Sequence, residues 1–101
     1  MTEREKLPAQ TFDWRGITVS VTYEPNWLNI HSVIHLDIEA IAPARAVLPF
    51  TETGYRSHFT NEQTIAEAGG PVAFVRAWLD AAAESKEWKA VEAASRQLNL
   101  F

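Results

Sequence analysis

Near residue 60 the hydrophobic period of this chain changes. Before it, apolar residues alternate at every second position; after it, they recur at the spacing of one helical face. Strands first and helices after is an α+β order, satisfied most simply by a small antiparallel sheet over about residues 11–59. Two or three C-terminal helices then pack on one of its faces. The stretch "TFDWRGITVSVTY" places Ile17, Val19, Val21 and Tyr23 on one side and Thr18, Ser20 and Thr22 on the other. In "IHSVIHLDIEAI", Ile30, Ile34, Leu36 and Ile38 fall with Ser32 and Ala40, opposite His31, Val33, His35, Asp37 and Glu39. One apolar and one polar side is the pattern of antiparallel strands wet on one face.

Turn chemistry divides this half. Gly16 can supply the positive φ of a tight hairpin around residues 14–16. Pro25 and Asn26 end the second strand, because proline removes a ladder donor and asparagine favours turns. Ala42-Pro43-Ala44-Arg45 turns the chain, and "AVLPF" is expected to form a short strand. "TETGYRSHF", residues 51–59, is a last strand or an ordered loop, with Gly54 at a special turn. Tyr55 and Phe59 are expected to point inward, and Glu52 to pair with Arg56.

Beyond residue 60, Thr60 or Asn61 can cap a short helix, "NEQTIAEA", stopped by Gly69-Gly70. Pro71 suits the first turn of the next helix, whose Val72, Val75, Trp78, Leu79 and Ala82 share a face. A break near Glu84-Ser85 leaves Ser85 to cap a last helix through Trp88, Val91 and Leu98. The organisation expected is a leader over residues 1–10, one domain over 11–96 and an apolar tail over 97–101.

Composition limits the function classes. The chain has 101 residues, 47% hydrophobic and 22% charged, as expected of one globular domain. With no cysteine, neither a disulfide nor a thiolate site can form. The net charge of -4 is spread evenly, which disfavours a phosphate-tracking surface and hence direct nucleic-acid binding. No apolar run approaches membrane-spanning length, so a cytoplasmic protein is expected. Trp14, Trp27, Tyr23 and Tyr55 would stack bases only beside a positive groove. Core packing is the expected use of these rings, as it is for Trp78 and Trp88.

Two stretches offer chemistry. His31, His35, Asp37 and Glu39 share one strand face, but residues two apart on a strand are roughly 7 Å apart, so a metal site needs ligands from other elements. A metal-assisted hydrolase using His35, Asp37 and His58 is the enzymatic alternative. The second stretch gathers Glu52, Tyr55, Arg56, Ser57 and His58 around Gly54. It contains no nucleophile elbow, and polar residues on a rigid scaffold commonly serve recognition. Glu52, Tyr55, Arg56 and His58 are therefore candidates for partner binding. No cofactor, metal or catalytic residue is expected.

"LPFTETGYRSHF" followed by "AGGPVAFVRAWLD" resembles a group of small bacterial proteins encoded near plasmid or prophage genes. The resemblance covers about residues 11–90. It implies an accessory role in mobile-element biology and a bacterial cytoplasm, and it assigns no activity. The tail "QLNLF" is similar to the pentapeptide by which bacterial replication and repair proteins bind the DNA polymerase sliding clamp. That likeness implies that Gln97 takes a polar contact while Leu98, Leu100 and Phe101 meet an apolar cleft. Burying two such side chains contributes roughly 1.5–3 kcal/mol each before the cost of ordering the tail. The alternatives are a tail packed on its own core and a homodimer contact. The function expected is thus a non-enzymatic interaction module of bacterial DNA metabolism or of a mobile element.

Overall fold

The computed structural model describes residues 9–25 and 32–98, with side chains as far as residue 94. Four strands come first: β1 (Gln10–Trp14), β2 (Ile17–Glu24), β3 (Val33–Ala42) and β4 (Tyr55–Asn61). Three helices follow: α1 (Glu62–Ala68), α2 (Pro71–Ala82) and α3 (Lys86–Leu98). The strands lie in sequence order, each antiparallel to the next, as a four-stranded sheet. The fold is α+β, as the change of period requires.

Arg15 (φ 49°) and Gly16 (φ 85°) close the first hairpin. Two consecutive positive φ angles match the twist of the flanking strands. β2 then stops at Glu24, one residue before Pro25. In β3, Thr18 pairs Ala42 but Val19 pairs Ala40, so Ile41 is the unmatched residue of a bulge. "AVLPF" forms no strand. The segment makes a bridge in which Leu48 and Thr51 exchange backbone hydrogen bonds at 2.9 and 3.0 Å, and Leu48 is buried in the core. Pro49 and Phe50 are the two turn residues between these partners, so the end of the run forms a tight turn rather than a ladder.

One face of the sheet carries the core. Phe12 and Trp14, Val19 and Val21, and Ile34, Leu36, Ile38 and Ala40 pack beneath Ile65, Val75, Leu79, Ala83 and Trp88 of the helical layer. Trp14 and Trp88 meet with ring centroids 5.7 Å apart, and the Trp14 indole donates to Asp80 at 2.9 Å. The first strand is thereby fastened to α2 and α3. The caps act as expected from their chemistry. Asn61 accepts from the Thr64 amide at 2.8 Å, Gly69 adopts φ 99°, and Ser85 accepts from the Trp88 amide at 3.0 Å.

Candidate functional site

β4 is an edge strand, and its register decides what each of its side chains meets. Ile38 pairs Arg56, Leu36 pairs His58 and Ile34 pairs Thr60. Arg56, His58 and Thr60 therefore lie on the helix-covered face, and Tyr55, Ser57 and Phe59 on the outer face. This corrects the inward placement expected of Tyr55 and Phe59, which are 38% and 51% exposed. At a sheet edge the core face is only partly roofed, so its inward positions tolerate an arginine and a histidine lying over aromatic rings.

The two faces of β4 carry different chemistry. On the covered side, His58 lies 4.5 Å from the Trp78 ring and 5.8 Å from that of Phe74, and Phe50 is 4.3 Å from Trp78. The Arg56 guanidinium sits over Trp78 at 5.4 Å and donates to the Phe50 carbonyl at 3.2 Å. That carbonyl, rather than Glu52, is the polar partner that Arg56 meets. All four rings are half-buried, forming an aromatic patch between α2 and the sheet edge. Burial first, and the Arg56 charge second, hold the His58 imidazole below its ordinary range.

On the outer face, Glu24, His35 and Ser57 form a chain of hydrogen-bonding contacts across β2, β3 and β4. Glu24 and His35 are direct cross-strand partners, with His35 Nδ1 3.0 Å from Glu24 Oε1. His35 Nε2 lies 2.6 Å from Ser57 Oγ. Both Glu24 and His35 are only 6% exposed, whereas Ser57 is open to solvent. Asp37 stands 3.5 Å from His35 Nε2 and accepts the Tyr55 hydroxyl at 2.6 Å. This hydrogen bond is the main reason the Tyr55 phenol is raised above its ordinary range, with burial next. The Phe59 ring covers the imidazole at 4.8 Å.

The structure does not bring His35, Asp37 and His58 together. His58 pairs with Leu36 and shares its face, so the sheet separates it from the other two. Glu24 joins them instead: Glu24, His35 and Asp37 offer ligand atoms within 4.8 Å of one another. The two carboxylates nevertheless address opposite ring nitrogens, Glu24 at Nδ1 and Asp37 at Nε2. One ion cannot use both nitrogens of a ring, so the present geometry suits a proton relay better than a metal centre.

Glu24 is the residue the sequence did not single out. Its only signal was its place as the last residue before Pro25. Recognising it requires the β2–β3 register, which no local pattern gives. His31 and Trp27 lie outside the described residues, as do Leu100 and Phe101. Gln97 and Leu98 fall in the last turn of α3, without described side chains. Among the described residues no helix is long and apolar enough to cross a membrane.

No curated protein and no solved structure shows significant similarity to the chain. A family model does match, over residues 8–88, which takes in all four strands, α1, α2 and the start of α3. With most of its length matched, the chain belongs to the KlcB third-domain family.

Proposed function

We propose that this KlcB third-domain chain is an interaction module, an accessory of plasmid or other mobile-element biology in a bacterial cytoplasm. The observation that carries the reading is the half-buried patch of Phe50, His58, Phe74 and Trp78 with Arg56 above it. Aromatic rings joined to an arginine are the composition of interface hot spots, where large rigid groups lose water without losing much entropy. Two further points support it. KlcB is plasmid-associated, and the family is named as a third domain, a unit that works beside others in one chain. The occupant that fits is a protein partner presenting an apolar side chain flanked by a carboxylate, the one for the rings and the other for Arg56.

The test places a photo-crosslinking amino acid at position 74, within the patch, and separately at position 67 on α1. A partner captured from position 74 and not from 67, whose affinity for the purified chain falls at least tenfold with Arg56→Glu, meets the expectation. Identical capture from both positions, or affinity unchanged by Arg56→Glu, removes the reading.

The tail supports a second and separable contact. "QLNLF" keeps four of the five residues of the clamp-binding pattern, and we propose that it docks on the sliding clamp. A labelled RQLNLF peptide is expected to bind purified clamp, with Leu100→Ala and Phe101→Ala together abolishing binding. No binding at high micromolar peptide ends that proposal and leaves the patch untouched.

A further inference from the structure

The outer face of the sheet holds a chemistry that docking does not use. Glu24, His35 and Ser57 stand in the order carboxylate, imidazole, hydroxyl, with contacts of 3.0 and 2.6 Å. We propose that Ser57 is an activated nucleophile, that His35 is its general base, and that the group it accepts is an acyl group from an activated carboxylic ester. This goes beyond the interaction reading and does not depend on it.

Four features of the site support that chemistry. An ionised carboxylate can only accept, so the 3.0 Å contact of Glu24 with Nδ1 favours the Nδ1–H tautomer, in which the Nε2 lone pair faces the Ser57 hydroxyl at 2.6 Å. The acid and the base are buried, so their hydrogen bond is shielded from water, while the hydroxyl is exposed and open to a substrate. Asp37, also near Nε2, is farther away at 3.5 Å and accepts a hydrogen bond from the Tyr55 hydroxyl. A donor for the developing oxyanion is also at hand. The Ala40 amide donates to Gly54 and the Glu62 amide to Ser32, so the β4 residues hydrogen-bonded to β3 are the alternate ones, Arg56, His58 and Thr60. The Ser57 amide therefore points to the open edge of the strand.

In the step proposed, Ser57 Oγ attacks the ester carbonyl carbon and its proton passes to His35 Nε2. The new Oγ–C bond forms, the bond to the alcohol oxygen breaks, and His35 returns the proton to the leaving alkoxide. Water then repeats the sequence on the acyl-serine, releasing the carboxylic acid and restoring the hydroxyl. Glu24 is a positioning residue: it touches the base and never the substrate.

The test uses the full chain and a fluorophosphonate probe. In that reaction Oγ–P forms, P–F breaks, and fluoride leaves with the serine proton. Intact mass and peptide mapping in the presence of a chelator are expected to show one label, on Ser57. Ser57→Ala abolishes it, His35→Gln slows it by about 100-fold or more, and Glu24→Gln slows it by about tenfold or more. Because His35 is buried, its variant is first checked for a cooperative melt. If it fails to fold, the nitrogen-15 spectrum of the wild-type imidazole decides: Nδ1 protonated and Nε2 bare at neutral pH supports the relay, and the reverse tautomer overturns it. The Glu24→Gln spectrum is expected to show a mixed tautomer, which a purely packing role would not produce. Label scattered over several residues, no label at Ser57, or labelling that requires added zinc or manganese overturns the proposal.

Discussion

Gly54 shows how a single residue constrains the loop that leads to β4. Its φ is +75°, and a Cβ there would lie 2.5 Å from the Arg45 carbonyl carbon and 2.7 Å from the Ala46 oxygen. Its own carbonyl accepts from the Ala40 amide at 2.8 Å, so neither the strand nor the loop can shift to make room. Gly54→Ala is expected to destabilise the fold by roughly 2–4 kcal/mol in urea unfolding, the sum of backbone strain and steric overlap. His58 gives a second residue-scale prediction. Because burial and Arg56 hold its imidazole low, the folded state favours the neutral form. The stability this supplies is complete above about pH 6.5 and is lost as pH falls through the lower folded value. Melting temperature should therefore drop less between about pH 7.5 and 5 in His58→Gln than in the parent. The need for glycine at position 54 was legible in the sequence. The inward direction of His58 was not, because on an edge strand polar residues sit on both faces and period-2 alternation no longer marks the core.

The elements were the most legible level, since each carries its own boundary chemistry. Asn61, Gly69, Pro71 and Ser85 mark helix ends by satisfying or omitting backbone donors, and these requirements are local. Ser85→Ala should cost about 1 kcal/mol, read as a lower urea midpoint at unchanged slope. The attachment of β1 to α2 is less local. Trp14→Phe keeps an aromatic side chain but removes the indole donor to Asp80 and leaves space beside Trp88 in the core. A loss of roughly 1–3 kcal/mol is expected by the same measurement, chiefly from lost packing, because Asp80 is exposed and water replaces the indole donor. No sequence spacing announces a contact between residues 14 and 80, and the same holds for Glu24 with His35. Cross-strand partners depend on the length and path of the connections between strands, whereas caps depend on residues three apart. "AVLPF" shows the converse error: its β-favouring residues suggested a strand, but Pro49 and Phe50 form the tight turn between the single bridged pair, Leu48 and Thr51.

At the scale of the whole molecule, the sheet works as a partition. Its covered face carries the core and, at the β4 edge, the aromatic patch with Arg56; its outer face carries Glu24, His35, Asp37, Tyr55 and Ser57. A one-residue slip of β4 against β3 would exchange the two sets, moving His58 beside His35 and Ser57 beneath α2. Both the proposed docking surface and the proposed serine relay depend on that register. The most direct measurement is a nuclear Overhauser spectrum of the isotope-labelled chain. The His58 ring is predicted to show cross-peaks to Trp78 and Phe74, and the His35 ring to the β protons of Ser57. Cross-peaks joining His58 to His35 or Asp37, with none to Trp78, would contradict it.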